Sequence, residues 1–150
     1  MFVNQDFKDL FRLLNEEAVE YLLVGAYAVV YYAEPRFTKD LDIWVAPTKE
    51  NAKKLWKALL RFGAPLLDVT VEDFTNEELV YQIGVEPNRI DILMGIAGAE
   101  FYKAQQGKQE SSYDGVSITI IGRNDLIKAK KTSARKQDLL DVERLEGENK

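Results

Sequence analysis

Residues 40–45 read Asp-Leu-Asp-Ile-Trp-Val, an apolar strand interrupted by two carboxylates. Successive side chains of a strand point to opposite faces, so Asp40 and Asp42 share one face and the aliphatic side chains share the other. A second apolar segment, residues 89–93, reads Arg-Ile-Asp-Ile-Leu and carries Asp91 in a similar setting. If the two strands are neighbours, three carboxylates meet at one place on a sheet.

Three carboxylates that converge favour a bound cation. Like charges at short distance repel one another and raise one another's pKa unless a cation lies among them. Mg²⁺ binds one or two carboxylates together with substrate phosphate oxygens, which makes Asp40, Asp42 and Asp91 candidate metal ligands. An ordinary interpretation stays open, because strands near a sheet edge often direct acids at every second position to solvent.

A strand, a small-residue turn and a helix precede the two carboxylates. Tyr-Leu-Leu-Val at 21–24 is followed by Gly25 and Ala26, a turn that lets backbone N–H groups approach a phosphate. The same turn is also typical of a close-packed strand–helix junction. Arg36 and Thr38 lie just ahead of the carboxylates, where Arg36 is a candidate to bind a phosphate or the acids, or an ordinary surface residue.

The composition excludes several chemistries. The 150 residues include no Cys and no His. Disulfides, thiolate zinc sites, iron–sulfur clusters and imidazole-based catalysis are therefore excluded. Any catalysis depends on carboxylates, Lys, Arg, Tyr or Ser, or on a hard metal ion held by oxygen.

The charge is unevenly distributed along the chain. The net charge of −5 argues against a general nucleic-acid-binding protein, yet residues 123–138 carry six basic and two acidic side chains. Lys128, Lys131 and Arg135 are spaced i, i+3, i+7 and share one face if the helix is continuous, which makes them candidates to bind phosphates. The alternative is a surface network of ion pairs with acids of the same segment.

The hydrophobic spacing predicts an α+β fold, a mixed β-sheet flanked by helices with further helices at the C-terminal end. A chain of this length fits a single domain, residues 1–150. Without a basic leader or a long apolar stretch, we expect a cytoplasmic protein without a membrane span. Helices are predicted over 5–17, 26–32, 48–62, 124–132 and 134–146, a loop at 111–113, and strands over 21–24, 40–45, 79–85, 89–93 and 116–121.

In this order, residues 22–29, 35–43 and 89–93 resemble the nucleotidyltransferase superfamily, whose catalytic fold is of the DNA polymerase β type. The family pattern is an apolar strand, Gly-Gly or Gly-Ser, a helix, Asp-x-Asp on the next strand and an Asp on a later strand. Arg-x-Thr-x-Asp-x-Asp at 36–42 resembles the small bacterial and archaeal members, including minimal and AbiEii-like toxin-type enzymes. Residues 125–141 resemble their C-terminal helices.

The resemblance implies a transferase that moves a nucleoside monophosphate from a nucleoside triphosphate (NTP) to an acceptor hydroxyl. Asp40 and Asp42 would bind Mg²⁺, and Asp91 would bind a second ion and help to deprotonate the hydroxyl. Gly25 and Ala26 would present backbone N–H groups to the triphosphate. The acceptor stays open between a small molecule, an RNA end such as that of tRNA, and a protein; a long nucleic acid is not expected.

Ala26 departs from the family pattern, which has Gly or Ser at that position. This departure favours a second hypothesis, a non-catalytic nucleotide- or protein-binding module of the same fold, as half of a toxin–antitoxin-like pair with a helical protein partner. A third hypothesis is a phosphoesterase that uses the same metal ligands.

Overall fold

One six-stranded sheet organises residues 3–33, 40–85 and 88–147, the part of the chain that the computed structural model describes. The strands are β1 (Tyr21–Val24), β2 (Asp40–Val45), β3 (Val80–Ile83), β4 (Arg89–Leu93), β5 (Gln109–Tyr113) and β6 (Val116–Ile120). Their order is β3-β4-β2-β1-β6-β5. The β2–β4 and β1–β6 pairs are parallel and the other neighbours are antiparallel.

Helices flank this sheet, and two of them end the described chain. They are α1 (Gln5–Glu16), α2 (Gly25–Tyr32), α3 (Lys49–Phe62), α4 (Phe101–Gln105), α5 (Arg123–Ser133) and α6 (Lys136–Gly147), with a 3₁₀ helix at Val71–Thr75. Helix α1 contacts α3 and β6, whereas α2 contacts β1, β2 and the α5–α6 pair. The architecture confirms the predicted α+β class with C-terminal helices.

Local signals account for the ends of α3. The Thr48 hydroxyl accepts a hydrogen bond from the Asn51 amide at 3.1 Å, which satisfies one of the N–H groups that the first turn leaves unpaired. Gly63 ends the helix in the left-handed conformation at φ +88°, where glycine has no steric penalty. Both ends agree with the predicted helix.

The central strands place the carboxylates at the boundary of the core. All four residues of β1 are buried. In β2, Leu41 and Ile43 are fully buried, whereas Asp40 and Asp42 on the opposite face are only partly buried. Over residues 40–43 the period of two therefore separates buried aliphatic side chains from the carboxylates, as the sequence pattern predicts, whereas Trp44 on the carboxylate face is buried.

Two local predictions were wrong. The segment 111–113 lies in β5 rather than in a loop, because it pairs with β6 across the turn at Asp114 and Gly115. The helix predicted from residue 124 begins instead at Arg123 after Gly122, and no side chain caps it.

In the described ranges, none of the helices combines the length and the apolar character that crossing a bilayer requires.

Candidate active site

The pairing of β2 with β4 brings the carboxylates together. In this parallel register Asp42 lies opposite Asp91, and Asp40 lies opposite Arg89. The antiparallel pairing of β1 with β2 sets Val24 opposite Asp42. The start of α2 therefore lies beside the same carboxylate, and the predicted neighbourhood of the two acidic strands is confirmed.

Asp42 has the most perturbed carboxyl group of this cluster. Burial raises the pKa of Asp42 to about 7, and the charge and hydrogen bonding of Asp91 act in the same direction, as does the charge of Asp40. The ammonium group of Lys130 opposes the shift. Because two facing carboxylates repel, a proton or a cation between them lowers the electrostatic cost.

Arg89 binds two of the three carboxylates. Its guanidinium group forms a fork on Asp91, with Nε at 3.1 Å from Oδ1 and an amino nitrogen at 3.2 Å from Oδ2. The same amino nitrogen lies 2.7 Å from Oδ2 of Asp40. Guanidinium stays charged at all ordinary pH values, so Arg89 offsets part of the negative charge of the cluster.

Gly25 allows the first turn of α2 to lie against Asp42. It has φ +68°, a left-handed conformation that disfavours other residues. A Cβ at this position would lie 2.9 Å from the Cβ of Asp42 and closer still to its Oδ2. The turn that the sequence identifies is therefore a close approach between backbone and carboxylate.

A cleft of about 250 Å³ opens beside this junction. Its polar side includes Asp42 from the sheet and the cations Lys130 and Arg135 from the C-terminal segment. The hydrogen bond and the charge of Asp138 raise the pKa of Arg135, and the charge of Asp42 across the cleft acts in the same direction. The described lining residues are Val24, Gly25, Asp42, Leu93, Gly95, Ile96, Ala97, Ile121, Leu126, Ala129, Lys130, Ser133, Arg135 and Asp138.

An ion-pair network joins α5 to α6 at the edge of the cleft. Lys130 Nζ lies 3.3 Å from Oδ1 of Asp138 and 3.0 Å from Oδ2 of Asp141. Arg135 Nε lies 2.8 Å from Oδ2 of Asp138. Bonds from Arg135 and the charge of Lys130 outweigh burial and hold the pKa of Asp138 below its ordinary value.

Two solved structures superpose on nearly the whole described chain. The lincosamide antibiotic adenylyltransferase LnuA, bound to lincomycin, gives a TM-score of 0.61 at 16% identity and covers 96% of this chain and 97% of its own. A candidate nucleotidyltransferase from Thermotoga maritima gives 0.59 at 12% identity and covers 98% and 96%. The fold is that of the nucleotidyltransferases.

The nucleotidyltransferase fold agrees with the superfamily that the motifs predict. The amino-acid sequence matches no protein-family model and no curated protein. The AbiEii-like subtype stays a prediction.

The other predicted nucleotide-binding residues occupy different environments. Arg36 and Thr38 lie outside the described residues. Ala26 follows Gly25 in the first turn of α2. Lys128 and Lys131 are exposed and are not among the described residues that line the cleft; Lys131 pairs with Glu146 at 3.0 Å. Their phosphate role stays a prediction.

The helix that carries these basic residues is not continuous. Ala134 has φ +54° and ends α5, so Arg135 does not share a helix face with Lys128 and Lys131. The turn instead directs the chain so that Lys130 and Arg135 line the cleft. Lys130 is not among the residues predicted for the site; the signal for it was the spacing of Asp138 and Asp141, i, i+3 on a helix that must bury one face.

The carboxylate pair of Asp42 and Asp91 provides ligands of the kind that Mg²⁺ prefers. Asp42 and Asp91 lie opposite each other on neighbouring strands and offer hard oxygen ligands. The two carboxylates repel each other, and a divalent cation would offset their negative charge. Asp40 and Asp91 are also bound to Arg89. In the described ranges no group of three or more acidic side chains is arranged to hold a metal ion. The pair suits the few protein ligands that Mg²⁺ requires, and Asp40 as a further ligand stays a prediction.

Proposed function

We propose that this chain is a metal-dependent nucleotidyltransferase that transfers a nucleoside monophosphate from an NTP to a hydroxyl group. The observation that carries the proposal is the facing pair Asp42 and Asp91, which the β2–β4 register sets beside the N-terminus of α2. Across the same cleft lie Lys130 and Arg135. Carboxylates for a metal ion and cations for a polyphosphate are the two requirements of phosphoryl-type transfer.

The carboxylates would bind the metal and handle the proton. Asp42 and Asp91 would hold Mg²⁺, with Asp40 as a further ligand. When bound, divalent ions stabilise the charge on the attacking and leaving oxygens of an in-line displacement. A carboxylate oxygen of Asp91 would accept the proton of the attacking hydroxyl, because it lies on the strand that faces Asp42.

Backbone and basic groups would bind the polyphosphate. The absence of a side chain at Gly25 lets the first turn of α2 approach a phosphate, and the N–H group of Ala26 lies in that turn. Lys130 and Arg135 would offset the negative charge of the leaving pyrophosphate from the other side of the cleft.

The cleft favours a small acceptor. Besides its charged groups, its described wall includes the aliphatic side chains Leu93, Ile96 and Leu126, and its volume is about 250 Å³. A lining of aliphatic side chains with few polar groups is typical of sites for small molecules. The acceptor of LnuA is a lincosamide antibiotic, as its name states. We therefore propose a small hydroxyl-bearing molecule rather than a protein or an RNA end.

Transfer of radiolabel from [α-³²P]NTP tests the proposal. The purified chain is incubated with each of the four NTPs, Mg²⁺ and acceptor mixtures that contain small polyols and lincosamides, RNA, or protein. We expect labelled product with one acceptor class, and a loss of about a hundredfold or more in Asp42→Asn and Asp91→Asn, since both remove charge from the reacting centre.

The exposed residue Asp68 supplies the matched control. Asp68→Asn removes one carboxylate charge away from the cleft and should keep the wild-type rate. Equal labelling by wild type, Asp42→Asn and Asp91→Asn would contradict the proposal. Release of inorganic phosphate without a labelled acceptor would instead support the phosphoesterase hypothesis.

A second candidate is a module that binds nucleotides without transfer. Arg89 favours it, because the guanidinium group already holds both oxygens of Asp91 and one oxygen of Asp40. Titration calorimetry with Mg²⁺ and a non-hydrolysable NTP separates the candidates. Tight binding without turnover for any acceptor class would support the module.

A further inference from the structure

Two carboxylates are buried on α6 where it faces α5. Asp138 is 2% exposed and Asp141 is fully buried. Their bonding partners include Lys130, which contacts both, and Gln137 Nε2, which lies 3.1 Å from Oδ1 of Asp141. Carboxylates are almost never buried to this degree unless they are paired.

Packing of α5 against α6 does not require this arrangement. Buried ion pairs lose as much hydration as they gain in attraction, and apolar side chains of similar volume pack two helices equally well. The two helices already carry buried apolar side chains, Leu126 on α5 and Val142 and Leu145 on α6. The buried charges of Asp138 and Asp141 therefore indicate a function that apolar side chains could not perform.

Lys130 connects the buried acids to the cleft. An ammonium group has three donors, and within the described ranges the hydrogen bonds of Lys130 are the two to Asp138 and Asp141. Its side chain is 11% exposed and lines the cleft that holds Asp42. Two fixed acceptors restrict a flexible four-carbon chain to one position and leave a donor for a ligand.

We propose that Asp141, assisted by Asp138, is a positioning residue that holds Lys130 in place to bind the polyphosphate of the NTP. The inference rests on the proposed function, since it takes the cleft to be the NTP site. Asp141 is not among the described residues that line the cleft, so its action passes through Lys130. Fixing a flexible cation in advance lowers the entropic cost of binding.

For Asp141→Asn, the effect of charge alone and the loss of positioning predict opposite changes in the affinity for an anion. Asp141→Asn removes a negative charge next to Lys130, so a purely electrostatic role would tighten the binding of an anion. Loss of positioning would weaken it, because Lys130 regains its conformational freedom. The direction of the change therefore separates positioning from simple charge balance.

Inorganic tripolyphosphate is the probe, measured by titration calorimetry in EDTA so that no metal contributes. We expect the Kd to increase about tenfold or more in Lys130→Gln, which loses a charge-assisted bond. We expect an increase of about threefold or more in Asp141→Asn, and no further increase when Asp141→Asn is added to Lys130→Gln. Adenosine, which lacks phosphates, should bind all variants equally.

Glu143→Gln, which removes an exposed carboxylate from the same helix, and Lys136→Gln, which removes an exposed cation, are the matched controls and should bind as wild type does. Circular dichroism and thermal unfolding verify the fold of each variant, and Asp141→Glu should restore part of the affinity. Unchanged or tighter binding in folded Asp141→Asn overturns the inference, as does an absence of tripolyphosphate binding in wild type. Binding that follows the expected order without nucleotide transfer would refute the proposed function alone.

Discussion

The carboxyl group of Asp42 is expected to make the free energy of unfolding depend on pH. Its ordinary pKa is 3.8, and burial beside Asp91 raises it to about 7 in the folded chain. Between these values the folded chain binds more protons than the unfolded chain, so the free energy of unfolding falls as the pH rises from about 4 to about 7. We expect Asp42→Asn, which is uncharged at every pH, to melt about 2 °C or more above wild type at pH 8 in EDTA.

At pH 4 the two proteins should melt together, because the Asp42 carboxyl group is then protonated in the folded chain. Asp68→Asn, at an exposed position, should melt with wild type at both values. Thermal unfolding followed by circular dichroism measures all three proteins. A lower melting temperature for Asp42→Asn at pH 8 would show that another cation already offsets this charge.

A second prediction for a single residue concerns the steric effect of a side chain at Gly25. Gly25→Ala introduces strain at φ +68° and a clash with Asp42, whereas Gly63→Ala introduces strain at φ +88° with no atom within 4 Å. A left-handed conformation costs a non-glycine residue about 1–2 kcal/mol. We expect urea unfolding to show a greater loss of stability for Gly25→Ala than for Gly63→Ala, by about 1 kcal/mol or more, because only the first displaces a neighbour.

If the proposed nucleotide transfer takes place at this site, it should disappear in Gly25→Ala and persist in Gly63→Ala. Equal losses of stability in the two variants would mean that the junction of β1 and α2 relaxes enough to admit a methyl group beside the carboxylate.

At the scale of elements, Asn51 joins α3 to the ends of two strands. Its Oδ1 accepts from the amide of Glu20 at 2.8 Å, and its Nδ2 donates to the carbonyls of Glu20 and Ala46, both at 3.0 Å. Asn51 is 1% exposed, so these backbone groups have little access to water. We expect Asn51→Ala to lower the free energy of unfolding by about 2–4 kcal/mol in urea melts.

Lys53→Ala, at an exposed position of the same helix, should change the free energy of unfolding by less than about 0.5 kcal/mol. A loss that small in Asn51→Ala would indicate that water replaces the three hydrogen bonds. The position of α3 matters for the site because β1 and β2, which it fixes at Glu20 and Ala46, carry the Gly25 turn and the carboxylates.

For the whole molecule, the features that could be predicted are those for which the spacing of residues along the chain and the chemistry of their side chains indicate the same structure. The alternation around Asp40 and Asp42 is visible in the chain, and so is the apolar spacing of α1 and α3. Strand β5 could not be predicted, because Gln-Glu-Ser-Ser-Tyr is a polar edge strand that exists through its pairing with β6. The role of Lys130 depends on where α5 ends at Ala134, a left-handed conformation that packing imposes on a non-glycine residue.

The parallel pairing of β2 with β4 has a consequence for folding. Such pairs join distant segments and form late, since a long intervening loop must close before any contact compensates for it. Asp42 and Asp91 come together only in that step, and the cleft also needs Lys130 and Arg135, which lie later in the chain. A partly folded chain therefore carries the acids and the basic groups without a cleft, which exists only once β2 and β4 have paired and the segment with Lys130 and Arg135 has packed beside them.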